Sequence, residues 1–136
     1  MMDIETPQDC RTLVDAFYRT ARQHPLLGPV FQSRIDGHWE EHLERMTLFW
    51  ETVLFARPRY SGKPLERHLG LPIGMEHFET WVGLWTAEVD RRFSGARADL
   101  AKQAATRMAL RLSASLEAHT SHGCACEAGH HTRSYV

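Results

Sequence analysis

Residues 39–54 read WEEHLERMTLFWETVL, and this stretch decides the fold class. Its large apolar residues recur at spacings of three and four, which places them on one face of an α-helix. The members of this stripe are Trp39, Leu43, Met46, Phe49, Trp50, Val53 and Leu54. The sequence therefore predicts a long amphipathic helix, opened by Asp36-Gly37, with one buried face.

The other periodic segments are also helical. Thr6 followed by Pro7 is typical of a helix start, and the apolar residues after it keep to one face until HPLLGP at 24–29 ends the helix. Two more helices are predicted at about 75–93 and 96–118, and no segment shows convincing strand-like alternation. We predict an all-α protein with a single domain at 1–118 and a flexible Cys/His-containing tail at 119–136.

Composition and charge exclude several classes of function. The chain has 136 residues and a net charge of -1, so it offers no basic footprint for nucleic acid. It contains no run of eighteen apolar residues, and its acidic start does not resemble a signal peptide. Three cysteines do not make a disulfide framework. We therefore expect a cytoplasmic protein without membrane or nucleic-acid partners.

A short segment, PLERHLGLP at 64–72, holds His68 between Pro64 and Pro72. A helical piece of this length is not stable on its own, so another contact must hold it in place. A metal bond through the imidazole would do so, with the second ring nitrogen donating to a carbonyl. Spacing alone leaves an ordinary, non-ligating histidine as the alternative.

A second histidine motif favours different chemistry. HWEEH at 38–42 matches H-x-x-E-H, in which His38 and His42 would bind zinc and Glu41 would act as general base. Such a short match arises by chance in a chain with nine histidines, and the sequence indicates no third ligand. A zinc hydrolase is one alternative function. A helical interaction module without cofactor, its tryptophans serving only the core, is another.

The tail also carries residue types that bind metals. These are Cys124, Cys126, His130 and His131, together with His119 and His122. The C-x-C spacing differs from that of most structural zinc sites, so we interpret the tail as an adventitious chelator.

Four ordered motifs resemble one known family, the truncated haemoglobins. They are LVDAFYRTARQHPLLGPVF, WEEHLERMTLFWETVL, YSGKPLERHLGLP and FETWVGLW. The resemblance covers roughly residues 10–118, and the third motif with the following F-x-x-W is similar to the third branch of the family. It implies a two-over-two helical sandwich around haem b, with a very short proximal helix.

The resemblance also implies roles for individual residues. His68 would be the proximal ligand of the haem iron, and the distal pocket would contain Tyr18, His42, Met46 and Trp81. Phe31, Phe49 and Phe78 would pack on the porphyrin, and Lys63 and Arg67 are candidates for the propionates.

These roles imply a function. The hydroxyl of Tyr18 and the indole N–H of Trp81 would stabilise the partial negative charge of bound O₂ and slow its release. CO and NO are further ligands. NO or peroxide detoxification, with a reductase partner, is a possible activity of the same site.

Overall fold

The computed structural model describes residues 1–56 and 73–126, with side chains up to residue 118. The regular elements within those ranges are all helices, which confirms the all-α prediction. They are α1 Pro7–Ala21, α2 Gly28–Ile35, α3 Trp39–Phe55, α4 Met75–Arg92 and α5 Ala96–Cys126. The segment at 64–72 lies outside the described residues.

The first helix begins where the sequence predicts it. The Thr6 hydroxyl accepts from the backbone N–H of Asp9 at 3.1 Å, and the Asp9 carboxylate accepts from the backbone N–H of Thr6 at 3.2 Å. This reciprocal capping box satisfies N–H groups that have no partner inside the helix. Pro7 occupies the first turn, where its missing N–H costs nothing.

Two pairs of helices form the sandwich. Helix α1 packs on α3, α4 packs on α5, and the pairs meet through contacts of α1 with α4 and of α3 with α5. All four helices contribute to one core, in which small alanines of α5 let the helices approach closely. Core members include Leu13, Val14, Phe17, Trp50, Leu54, Trp85, Val89, Ala98, Ala101 and Ala105.

Tryptophans fill the centre of this core. Trp85 stacks on Trp50 with ring centroids 4.4 Å apart and lies parallel to Trp81 at 6.3 Å. The indole N–H of Trp85 donates to the carbonyl of Ala101 at 3.2 Å. Because its one polar group is satisfied, Trp85 can be almost completely buried without cost from an unpaired donor.

The N-terminal segment caps the start of α5. The Asp3 carboxylate accepts from the backbone N–H groups of Arg97 at 3.0 Å and Ala98 at 2.8 Å. Gly95 has φ +142, and a Cβ there would lie 2.6 Å from the Asp3 side chain. Only glycine fits this position, because both the dihedral and the close approach exclude a side chain.

Helix α5 is longer than predicted. We expected it to end near 118, but its backbone remains helical to Cys126. The small and polar residues after 118 lack an apolar period, so the pattern that marks a buried helix face gave no signal for this extension. The division into a domain at 1–118 and a tail at 119–136 stays a prediction. None of the described helices is long and apolar enough to cross a bilayer.

Candidate ligand-binding site

A tyrosine and a histidine from different helices meet at the centre of the site. The hydroxyl of Tyr18 on α1 and Nε2 of His42 on α3 lie 3.0 Å apart, within hydrogen-bonding distance. The rings touch edge to face, with centroids 5.0 Å apart. Tyr18 is buried, at 7% exposure, and His42 is partly buried. Two of the four side chains that the family resemblance assigns to the distal pocket are therefore adjacent.

The direction of this hydrogen bond depends on the histidine tautomer. A proton on Nε2 lets His42 donate to the phenol oxygen, which leaves the phenol proton available to a third group. A proton on Nδ1 instead makes Nε2 the acceptor and uses the phenol proton. The pair can thus present a donor or withhold it, without a change of side-chain position.

Burial determines the protonation state of the tyrosine. Desolvation raises the pKa of Tyr18 well above its ordinary value, because a phenolate would lose its hydration in this environment. Tyr18 is therefore a neutral phenol throughout the physiological pH range. It can donate a hydrogen bond to a ligand without carrying a competing negative charge.

Two more aromatic rings enclose the pair. The ring centroid of Phe31, on α2, lies 5.3 Å from that of Tyr18. Trp39 is the first residue of α3, and its ring centroid lies 5.8 Å from that of Tyr18 and 5.9 Å from that of His42. Phe31 and Trp39 also touch each other at 6.2 Å. We call Tyr18, Phe31, Trp39 and His42 the distal cluster. Its walls are apolar, so hydrogen bonds inside it are less weakened by water.

Trp81 borders the distal cluster rather than joining it. Its ring centroid lies 6.0 Å from that of Phe17, and the ring centroid of Phe17 lies 4.8 Å from that of Tyr18. Trp81 is partly exposed although it packs against the core. Phe17 therefore lies between the Trp81 indole and Tyr18, and the other side of that indole faces Trp85 in the core.

The other predicted pocket residues have different degrees of burial. Met46 lies one helical turn after His42 and, like Phe49, is only partly buried against the core. Phe78, near the start of α4, is buried. The predicted contacts Lys63 and Arg67 and the predicted proximal ligand His68 lie outside the described residues.

The zinc interpretation of HWEEH finds no support in the described residues. The His38 ring lies 3.0 Å from Glu41 on an exposed surface, whereas His42 faces Tyr18. His38 is the N-cap residue before α3 and has non-helical dihedrals, and its ring and that of His42 have different partners. In residues 1–56 and 73–118, His, Cys, Asp and Glu form no group of three that could hold a metal ion.

Sequence reasoning missed two residues of the site. Trp39 was assigned only to the apolar stripe, although it lies three residues before His42 and therefore on the same helix face. Arg22 was not assigned at all, yet its guanidinium carbon lies 4.0 Å from the centroid of the Trp39 ring. Its position four residues after Tyr18 was the available signal, because that spacing aligns side chains along a helix.

The two-over-two helical sandwich, with Tyr18 of α1 in contact with His42 of α3, is the fold of a truncated globin. The structure is similar to the crystal structure of the group III truncated hemoglobin from Campylobacter jejuni, with a TM-score of 0.76 and 30% identity. The match covers 85% of this chain and 95% of that chain. The chain belongs to the truncated haemoglobin family, in its third group.

Curated relatives agree with this assignment over a shorter stretch. The group 3 truncated hemoglobin of Campylobacter jejuni is 38% identical over 77 residues, which is 54% of this chain and 61% of the relative. The group 2 truncated hemoglobin of Bacillus subtilis is 32% identical over 83 residues, or 57% of this chain and 60% of the relative. The matched stretches thus span about three fifths of each relative. No protein-family model matches the chain.

The described residues fit a flat, apolar group with polar ligands on one face. Phe31, which contacts Tyr18, is only partly buried, and so are Met46 and Phe49 further along α3. Nε1 of Trp39 is buried and has no acceptor among the described residues. A buried donor without an acceptor is costly, so this side of the molecule has hydrogen-bonding capacity that its described residues do not use.

Proposed function

We propose that this protein binds haem b and uses the Tyr18–His42 side of the site to retain O₂. The single observation that carries the proposal is the 3.0 Å contact between Tyr18 Oη and His42 Nε2 inside an apolar cluster. When bound, haem supplies an iron centre for diatomic ligands and a large flat surface that apolar side chains can cover.

Each residue has a defined task in this proposal. His68 would hold the iron, and Lys63 and Arg67 would contact the propionates. Phe31, Phe49 and Phe78 pack against the porphyrin and exclude water, and Met46 belongs to the distal pocket. These assignments rest on the family resemblance, and for His68, Lys63 and Arg67 they concern positions beyond the described residues.

The chemistry of O₂ retention comes from Tyr18 and its neighbours. His42, protonated on Nε2, donates to the phenol oxygen and leaves the phenol proton directed towards the ligand. The neutral phenol then stabilises the partial negative charge that develops on O₂. CO carries less charge and gains less from the same donor. Trp81 supplies a second donor from α4.

Retention rather than rapid delivery follows from these donors. A hydrogen bond to a charged acceptor is worth about 1.5–3 kcal/mol, so one donor slows O₂ release by roughly ten- to a hundredfold. A slow release is poor for a carrier and suits a sensor or a reactive site. Binding of CO and NO, turnover of NO or peroxide, a reductase partner and a cytoplasmic location stay predictions.

An absorption spectrum provides the first test. The protein, purified from cells supplied with haem or mixed with hemin, is expected to show a Soret band and to bind haem with one-to-one stoichiometry. The His68→Ala variant should lose stable haem. A protein that stays colourless under these conditions would contradict the proposal.

Stopped-flow kinetics test the distal assignment. Tyr18→Phe should raise the O₂ dissociation rate about tenfold or more and change CO release much less. His42→Leu should also raise the O₂ rate, whereas the matched control His38→Leu changes an exposed histidine four residues earlier and should have no effect. Equal changes for O₂ and CO would contradict selective hydrogen bonding.

A further inference from the structure

The solvent side of the distal cluster is covered by one cationic side chain. Arg22 is the residue that directly follows α1, and its guanidinium carbon lies 4.0 Å from the centroid of the Trp39 ring. Guanidinium groups are attracted to the faces of indole rings. Arg22 is exposed and Trp39 is partly buried, so the cation lies between the ring and water.

Trp39 in turn forms one wall of the His42 environment. Its ring is perpendicular to that of His42, with an interplanar angle of 90° and centroids 5.9 Å apart. Side chains of a helix lean towards its N-terminus, so His42 leans over the turn that Trp39 begins. Tyr18 contacts the imidazole with an interplanar angle of 85°. The imidazole is therefore held between two edge-to-face contacts.

The backbone offers Trp39 little support. Helix α3 begins at Trp39, and the side chain of its N-cap residue His38 does not cap the backbone N–H groups of the first turn but turns to the Glu41 carboxylate. An uncapped first turn is the part of a helix that frays most easily. The orientation of the Trp39 ring therefore depends on its side-chain contacts, which include Phe31, Tyr18 and Arg22.

We propose that Trp39, held by Arg22, is a positioning residue that keeps His42 in the orientation that bonds Tyr18. Loss of Arg22 frees the Trp39 ring and lets the imidazole turn away, while Arg11 still holds the first turn of α3 through Glu40. The phenol then loses the neighbour that directs its proton. This inference deepens the proposed function, on which it rests for its role in ligand retention.

The described residues offer a matched control. Arg11, on α1, donates through Nη2 to both carboxylate oxygens of Glu40 at 3.1 Å. Glu40 neighbours Trp39 in the first turn of α3, so Arg11 joins the same two helices without contacting the indole ring. Arg11→Ala removes a cation and an α1–α3 link, as Arg22→Ala does, but it leaves the Trp39 face covered.

The C–O stretching band of the CO complex of the haem-loaded protein reports the donors near the ligand. Wild type should give one dominant band. Arg22→Ala should raise the population of a second, donor-poor band about two- to fivefold, the range expected for an exposed cation–π contact. Trp39→Leu should raise it further. Arg22→Lys should restore most of the wild-type band, and Arg11→Ala should leave it unchanged.

Two results would overturn the proposal. Unchanged spectra in both Arg22→Ala and Trp39→Leu would show that His42 is positioned without them. An equal shift in Arg11→Ala and Arg22→Ala would show that general loosening of the α1–α3 contact, rather than the ring contact, is responsible.

A haem-independent measurement separates this inference from the proposed function. Nitrogen NMR of the histidine rings reports the tautomer and hydrogen bond of His42 in protein without haem, with His42→Leu identifying the signal. Arg22→Ala should shift that signal and Arg11→Ala should not. A wild-type chain that fails to take up haem overturns the proposed function, while this NMR comparison still decides the role of Arg22 and Trp39.

Discussion

Two tryptophans of this protein have opposite surroundings. Trp85 lies in the centre of the core at 1% exposure, stacks on two other indoles and donates its N–H to the carbonyl of Ala101. Trp39 lies in the distal cluster, is partly exposed, and has a buried N–H without an acceptor among the described residues. The indole N–H of a tryptophan thus has a hydrogen-bond acceptor in the core and none among the described residues in the distal cluster.

This difference separates the part of the molecule that holds the fold from the part that can bind. The polar group of Trp85 is satisfied within the core, so substitution of Trp85 should act on stability. The distal cluster keeps donors available and is held by exposed contacts such as the one from Arg22. Substitutions there should act on ligand retention with smaller effects on stability.

The largest expected effect is on the free energy of unfolding. Trp85→Ala should lower it by about 3–5 kcal/mol, because it leaves a large cavity in the core. Trp39→Ala should cost about half as much or less, since less of its surface is buried. Urea denaturation of the two variants under identical conditions measures both. Equal losses would remove the distinction between the two regions.

A smaller effect is expected at the N-terminal cap of α5. Asp3→Ala should lower the free energy of unfolding by about 1 kcal/mol, because two backbone N–H groups lose their acceptor. Asp99→Ala is the control, since it removes a carboxylate from the first turn of the same helix without removing those bonds. A loss as large in Asp99→Ala would indicate a charge effect instead.

The contribution of Asp3 should depend on pH. Partial burial acts to raise the pKa of Asp3, but hydrogen bonds from the backbone N–H groups of Arg97, Ala98 and Ile4 outweigh it and lower that pKa. A lowered folded-state pKa means that the stabilisation is present above the unfolded value of 3.8 and disappears as the pH falls through the folded value. The difference in free energy of unfolding between wild type and Asp3→Ala should therefore shrink as the pH falls below 3.8.

The distal cluster should show its burial in a tyrosine titration. The chain has three tyrosines. Because burial raises the pKa of Tyr18, its ionisation should be delayed to higher pH than that of an exposed phenol. Phenolate absorbance followed against pH should contain a delayed step that Tyr18→Phe removes. A Tyr18 that ionises at its ordinary pH would contradict the buried position.

The last prediction concerns Cys10, a buried thiol of α1 that belongs to neither of the two tryptophan environments. Burial, with a contribution from Glu51, raises the pKa of the Cys10 thiol to about 12. In a variant with Cys124 and Cys126 replaced by Ser, Cys10 should react with a thiol reagent at pH 8 at least about a hundredfold more slowly when folded than when unfolded. Rapid labelling of the folded protein would indicate that the core opens at this position.

Much of the fold was readable from local pattern. The period of residues 39–54 predicted α3, and Thr6-Pro7 predicted the start of α1, because both signals depend on neighbours in sequence. The end of α5 at Cys126 was missed because its last residues carry no apolar stripe. The cap that Asp3 provides to α5 was also missed, since more than ninety positions separate its partners and no local pattern encodes it.

The site divides in the same way. Tyr18 and His42 were assigned by resemblance, and the structure brings their side chains together. Trp81 was assigned to the same pocket, and the structure places it beside Phe17 at the border of the distal cluster. The proximal assignment of His68 stays a prediction, as do Lys63 and Arg67.

The sequence by itself determined the class of the fold and the residues available for chemistry, because helix period, capping and breakers are local properties of the chain. Only the tertiary structure decided which indole is satisfied and which is not. That outcome depends on whether a carbonyl from another helix reaches the N–H, as Ala101 does for Trp85. It also decided that Arg22 covers Trp39, because the contact exists only where the end of α1 crosses the start of α3.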